Sequence, residues 1–256
     1  MAPTPSAIAL IPARAGSKRL PDKNIRPLEG HAVIAYTIAA ALQSGIFAAV
    51  VVSTDSPQYA DVARYYGAEV PFLRPSQFAG DLSPDIEWVD YTLRRLKDEG
   101  RTYDCFSILR PTSPFRQSET IRRAWQEFLA ENGVDSLRAV EKCKQHPGKM
   151  WVVRAKRMTP LLPLSPPEQP WHSSQYQSLP EVFVQNASLE IAWTRVIFNE
   201  RSIAGQVALP FFTNGAEGFD LNNREDWIIA QHMLSAREVA LPVVTQPPCP
   251  PGLLQP

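Results

Sequence analysis

Ala7-Ile-Ala-Leu-Ile-Pro-Ala-Arg-Ala-Gly-Ser-Lys-Arg-Leu-Pro-Asp-Lys-Asn-Ile-Arg-Pro-Leu-Glu-Gly30 is the stretch around which the chain is organised. Ile8 to Ile11 is a short apolar run of the kind a buried strand presents. Pro12 ends it, because proline has no N–H to give a sheet ladder. Arg14, Gly16, Ser17, Lys18, Arg19, Lys23 and Arg26 then fall within thirteen residues, opposed only by Asp22. Gly16 allows a turn with positive φ or a close approach of backbone to a ligand. Ser17 and the amides around it can donate to an anion, while Arg14, Lys18 and Lys23 neutralise several negative charges. A polyphosphate needs this combination; a solvated basic loop is the plainer alternative. The loop is not a Walker P-loop, since no Gly-Lys-Ser/Thr follows, and G-x-G-x-x-G is absent too.

Moving outward, strand and helix patterns alternate. Helical periodicity predicts helices over 32–44, 57–66, 83–99, 118–131 and 224–238, with Gly45, Gly67 and Gly100 as stops. Ser83 is the expected N-cap of the third. Apolar and β-branched runs predict strands over 48–53, 70–73, 106–109, 134–140 and 205–212, and one or two more within 181–193. This order implies an α/β fold with a mostly parallel sheet and helices on both faces, ligands lying over the C-terminal strand ends. Asp55, after the second strand, is read as the cap of the helix behind it rather than as a ligand group. Residues 158–180 contain Pro160, Pro163, Pro166, Pro167, Pro170 and Pro180, which exclude a regular core element. Leu161, Leu162, Leu164, Trp171 and Tyr176 make the same segment apolar, so it is expected to pack as an arm. The tail, 241–256, is proline-rich and expected to be disordered.

Composition narrows the function. A chain of 256 residues suits one large α/β domain with an excursion. Its formal net charge is zero, so no global field draws it to nucleic acid or a membrane. Three widely spaced cysteines without metal or redox spacing, no signal-peptide pattern and no long apolar run suggest a cytoplasmic protein. Four scattered histidines argue against a histidine-based metal site.

Ile11-Pro-Ala-Arg-Ala-Gly-Ser-Lys18, followed by Lys23-Asn24, resembles the signature of the acylneuraminate cytidylyltransferases, the CMP-sialic acid synthetases. The resemblance covers about 235 residues, of which this motif is the most specific. It implies a Rossmann-like fold of the nucleotide-diphospho-sugar transferase kind, spanning 1–240, with a dimerisation excursion at about 142–193. It also implies that CTP and an acidic 2-keto sugar give a CMP-sugar and pyrophosphate. On that reading Ala13, Arg14, Gly16, Ser17, Lys18, Lys23 and Asn24 bind the nucleotide, with Arg14, Lys18, Lys23 and Asp220 catalytic. Arg74-Pro-Ser-Gln-Phe-Ala-Gly-Asp81 is similar to the segment that receives the cytosine, so Arg74, Gly80 and Asp81 join the nucleotide site.

The acceptor side follows from further motifs. Arg110-Pro-Thr-Ser-Pro-Phe-Arg116 stands where the family reads Gln-Pro-Thr-Ser-Pro-Leu-Arg, so Arg110, Thr112, Ser113 and Arg116 are expected at the sugar, Arg110 replacing a glutamine. His146-Pro-Gly-Lys149 matches a segment whose lysine faces the acidic sugar. Tyr176 occupies the place of an arginine, Asn186 matches, and Glu190 stands for a tyrosine. Arginine gained at 110 and lost at 176 suggests an acidic acceptor other than ordinary N-acetylneuraminic acid. Phe219-Asp220-Leu221-Asn222 resembles Ile-Asp-Ile-Asp, whose carboxylates hold Mg²⁺ (or Mn²⁺); Asp220 and Asn222 are the expected ligands, one charge short. Asp226 is assigned to the start of the last helix. A homodimer is implied. Transfer to Kdo or a phosphonate, or a non-catalytic nucleotide-binding role, stay open as alternatives.

Overall fold

The computed structural model describes residues 4–163 and 165–254. Leu164, one of the apolar residues of the expected arm, lies outside them. The chain divides into two compact units, one built from residues up to Ala139 and from Asn186 onward, the other from Val140–Gln185.

β1 (Ala7–Pro12) is buried on both faces, and its alternation shows how the larger unit is layered. Ala7, Ala9 and Ile11 point into a cluster with α1 (Val33–Ser44), α2 (Pro57–Tyr65) and α4 (Ser118–Ala130). Ile8 and Leu10 point the other way, toward α3 (Asp85–Asp98) and α5 (Thr194–Glu200). A strand covered by helices on both sides must be apolar at every position, as this one is. It pairs in parallel with β4 (Ala49–Ser53) and β5 (Cys105–Ile108), Leu10 lying between Val51 and Ile108. β9 (Phe183–Trp193) runs antiparallel to β5, and β6 (Ser136–Lys142) and β10 (Ala208–Phe212) complete the order β10-β6-β9-β5-β1-β4. A two-residue hairpin, β2 (Pro27–Leu28) and β3 (His31–Ala32), leads into α1. α6 (Arg224–Ser235) packs through Trp227 and Ala230 onto Leu20, Leu28 and Tyr36.

Several expectations are corrected. Residues 70–73 are not a strand; Glu69 makes a single bridge to Val51, Pro71 has no N–H, and the Arg64 guanidinium takes the Val70 carbonyl. Ser83 does not cap α3, which begins two residues later after Pro84. The cap of α2 is Ser56, whose Oγ accepts from the Tyr59 amide, not Asp55. α6 ends at Ser235 rather than near 238. The tail expected to be disordered is packed. Its carbonyls at Val243, Pro247 and Leu253 accept from Gln43, Tyr65 and Gln58, and the Cys249 amide donates to the Tyr66 hydroxyl. Its last described residues form the short helix α7 (Pro251–Leu254), with Leu253 and Leu254 against the α1–α2 core. Prolines bar a regular ladder but are themselves apolar, so they can cover a helix pair.

The smaller unit contains the antiparallel hairpin of β7 (Trp151–Arg154) and β8 (Arg157–Pro160). It is organised around His146, which is 4% exposed. Nδ1 accepts the Gly148 amide, so the ring proton sits on Nε2, which donates to the Pro180 carbonyl; the rings of Trp171 and Tyr176 stand edge-on to it. This unit ends at Gln185, whereas the sequence places the excursion's end at 193; residues 186–193 are instead sheet, because β9 must pair with β5.

Candidate active site

The loops that leave the C-terminal ends of the parallel strands β1 and β5, together with the loop before α3 and the segment at Asp220–Asn222, line one cavity of about 280 Å³. The first, after β1, is held from several directions. The Ala13 amide donates to Ser53 O (3.0 Å), Ala15 to the Asp55 carboxylate (2.8 Å), and the Asn24 amide group to Arg14 O (3.3 Å). Asp55 is therefore a brace for this loop. Asp22, at φ 51°, caps a turn whose other support is the Tyr59 hydroxyl. Gly16 has φ 72° and open space where a Cβ would stand, so the turn itself, not a close approach, requires glycine. Among the described residues the amides of Gly16, Ser17 and Lys18 make no backbone hydrogen bond. Fixed, unspent N–H groups beside Arg14 and Lys23 suit an anion. Burial lowers the Lys23 pKa, as do Arg19 and Arg14, while Asp220 and Asp226 oppose the shift.

The second wall comes from the loop before α3 and the first turn of that helix. Arg74 is 6% exposed; its guanidinium donates to Ser53 Oγ and O and lies 4.7 Å from the Trp88 ring centroid. Burial pushes it down to about 10, so it stays charged at neutral pH. The Gly80 amide, expected to face a base, is taken by Ser83 Oγ (3.2 Å), and Ser83 in turn donates to Gln77 O. Asp81 pairs with Arg14 (2.7 Å) and Lys18 (2.5 Å), so its side chain meets the loop cations.

The third wall is the segment after β5. The Arg110 guanidinium reaches Asp85 and, at 3.2 Å, Glu190; Glu190, nearly buried, also pairs with Arg138. Arg110 is thus not an unshared cation, and Glu190 is a partner of two arginines behind the wall rather than a group in it. Arg116 lies behind this wall rather than in the cavity lining. It is 1% exposed and donates to Ser188 O, Thr37 Oγ1 (2.9 Å) and Arg110 O (3.3 Å), clamping β9, α1 and this loop together. Burial pushes its pKa down to about 9. Ser113 is buried beside it, while Thr112 lines the cavity.

Asp220 and Asn222 close the cavity. The Asn222 side-chain Nδ2 donates to Asp220 Oδ2 (2.7 Å), while Asp220 Oδ1 is buried without a partner in the structure. Asp226 accepts the Asn222 and Asn223 amides and forms a capping box with Asn223 at the start of α6, where it was expected. Among the described residues no three His, Cys, Asp or Glu side chains gather as a metal site.

Of the expected residues, the cavity unites Arg14, Ser17, Lys23, Asn24, Arg74, Gly80, Asp81, Arg110, Thr112, Asp220 and Asn222. Ala13 is wholly buried beneath the loop. Asn186 lies on β9, its side-chain Oδ1 accepting the Ser188 amide. Lys149 and Tyr176 belong to the smaller unit, where they donate to Ser174 O (2.6 Å) and Cys143 O (2.8 Å). The sequence reading missed Phe78, Ser83, Asp85 and Trp88. Asp85 and Trp88 had one available signal, a carboxylate three residues before an indole at a helix start; Trp88 Nε1 donates to Asp85 (2.7 Å).

A family model described as Cytidylyltransferase matches residues 8–149. The chain is 37% identical over 235 residues to the CMP-N,N'-diacetyllegionaminic acid synthase of Legionella pneumophila, covering 91% of this chain and 98% of that one. It is 46% identical over 117 residues to the N-acylneuraminate cytidylyltransferase of Escherichia coli, where the match spans 46% of this chain but 27% of that longer one. In fold it is similar to a CMP:2-keto-3-deoxy-manno-octonic acid synthetase solved with CTP (TM-score 0.67, 15% identity, 91% of this chain and 100% of that one). A 4-diphosphocytidyl-2C-methyl-D-erythritol synthase from Anaerococcus prevotii is similar at TM-score 0.63 and 10% identity, covering 90% and 99%. A nucleotidyltransferase fold, a basic loop on the first strand and a family match across both lead to one conclusion: the chain belongs to the cytidylyltransferase family and is a CTP-dependent nucleotidyltransferase.

Proposed function

We propose that the protein transfers CMP from CTP to an acidic 2-keto sugar of the nonulosonate class, releasing pyrophosphate. The observation that carries this reading is the cavity itself, with the braced basic loop on one wall and Asp220, bearing a buried oxygen with no partner, on another. The relatives named for CMP-legionaminic acid and N-acylneuraminate synthesis support the acceptor class. The triphosphate lies along the loop after β1, its charge met by Arg14, Lys18, Lys23 and the open amides. The oxygen of the sugar's anomeric hydroxyl bonds to the α-phosphorus as the hydroxyl releases its proton to solvent water and the bond to the pyrophosphate oxygen breaks, the electron pair leaving with pyrophosphate. Little covalent chemistry falls to the protein; it orients reactants and stabilises charge.

The donor set fits a divalent cation. Asp220 offers a buried oxygen lacking any hydrogen bond, and Asn222 beside it can add its amide oxygen. One carboxylate, an amide, water and substrate phosphates are a common Mg²⁺ environment. When bound, Mg²⁺ neutralises charge on the phosphate oxygens. Arg110, held by Asp85 and Glu190, is oriented at the acceptor end as a cation whose charge is partly spent. We assign the smaller unit to a homodimer interface. Val153, Met158, Leu161, Phe183 and Val184 are all exposed there or on the strand that follows it, and exposed apolar side chains of this kind support an interface.

The test is pyrophosphate release from each of the four nucleoside triphosphates against a panel of acidic sugars. Release with CTP and a nonulosonic acid is expected. Release with Kdo alone, or with no acid, would overturn the acceptor class.

A further inference from the structure

The loop cations assigned to the triphosphate already hold an anion. Lys18 Nζ meets Asp81 Oδ2 at 2.5 Å and Arg14 Nη2 meets Asp81 Oδ1 at 2.7 Å, one cation to each oxygen. The turn at Gly16 allows two residues four apart to converge on one carboxylate. A carboxylate held this way presents the loop with what a phosphate would present, two anionic oxygens side by side. The Asp81 backbone is tied into a tight turn, with Ser83 accepting the Gly80 amide through Oγ, donating from Oγ to Gln77 O and donating its own amide to Gly80 O. Leu82, next in sequence, is 96% exposed, so the tip stands out from the core. All three charged side chains are partly or largely exposed, Lys18 most of all, so their pairing is exchangeable rather than locked. The hydrogen bonds from Lys18 and Arg14 hold the Asp81 carboxyl below the usual range, and it is ionised at neutral pH.

Resting on the proposed placement of the triphosphate, we propose that Asp81 is an internal counter-anion for the phosphate site. It hands Arg14 and Lys18 to the β- and γ-phosphates when nucleotide enters and takes them back as pyrophosphate leaves. Its effect falls on ligands that reach both cations. Pyrophosphate and CTP bind more weakly than an empty pair of cations would allow, and pyrophosphate release is faster. CMP, with no β- or γ-phosphate, is indifferent to it.

The experiment is calorimetric titration of the full chain with inorganic pyrophosphate, and separately with CMP, in magnesium-containing buffer, for the unaltered protein, Asp81→Asn and Arg14→Ala. Replacing two exposed ion pairs by a neutral amide is expected to tighten pyrophosphate binding about three- to tenfold and leave CMP unchanged. The inhibition constant of pyrophosphate in turnover should fall by the same factor. If Asp81 only props the two cations, Asp81→Asn will weaken pyrophosphate, and the proposal is wrong; unchanged affinity overturns it as well. Arg14→Ala separates this from the reading beneath it. Pyrophosphate binding unaffected by Arg14→Ala would remove the phosphate loop assignment altogether, whereas weakening there with no gain in Asp81→Asn removes the counter-anion alone.

Discussion

Replacing Arg116 by lysine should destabilise the larger unit by about 2–4 kcal/mol, because two buried acceptors lose a charged donor at roughly 1–2 kcal/mol each. The guanidinium spans Ser188 O, Thr37 Oγ1 and Arg110 O, which belong to β9, α1 and the loop after β5. Lysine keeps the charge, but a compact ammonium on a flexible stem cannot replace a planar fork that reaches acceptors in several directions. For a chain this long the urea dependence of stability is about 3 kcal/mol per molar, so the midpoint should fall by about 1 M. Urea unfolding followed by tryptophan fluorescence measures this directly. The turnover readout should move as well, since the Arg110–Thr112 segment loses its clamp. An unchanged midpoint together with a raised acceptor KM and an unaltered CTP KM would show that Arg116 meets the sugar, and the buried-clamp argument would be refuted.

Asp220→Asn should abolish metal-dependent turnover, whereas Asn222→Asp should keep it or tighten Mg²⁺ binding by restoring a carboxylate; metal titration of both variants decides, and full activity in Asp220→Asn would exclude it as a ligand. Light scattering at micromolar concentration should report a dimer, and Val153→Glu should shift it to monomer; a monomeric unaltered chain would dismiss the interface. Burial alone would raise the Asp85 pKa, but Arg110, Trp88 and Arg74 hold it below the ordinary carboxylate value. A folded value below the unfolded one gives stability that is present above about pH 4 and lost as pH falls through the folded value. The stability difference between the unaltered protein and Asp85→Asn should therefore shrink in acid, and a pH-independent difference would contradict this.

The central strands were legible because they are covered on both faces, so Ile8 to Ile11 and Ala49 to Ser53 carry no polar interruption until the last residue. The phosphate loop was legible because charge, glycine and strand end are contiguous in the chain. Partners distant in sequence were not. Nothing near Glu190 announces Arg138 or Arg110, which reach it only because β9 lies between β6 and β5. Arg116 shows a different limit: its motif places it beside the acceptor segment, yet adjacency in a loop does not reveal which way a side chain turns. Asp55 was read as the cap of α2, and the geometry instead shows Ser56 at the helix and the aspartate on the Ala15 amide.

The packed tail bears on how the protein can be handled. Trimming at residue 240, as its proline content would invite, removes Cys249 from beneath Tyr66 and takes Val244, Leu253 and Leu254 off the apolar seam they cover. The shortened protein would present adhesive helices and be prone to precipitate, however intact its cavity. An affinity handle appended beyond α7 would leave that seam sealed.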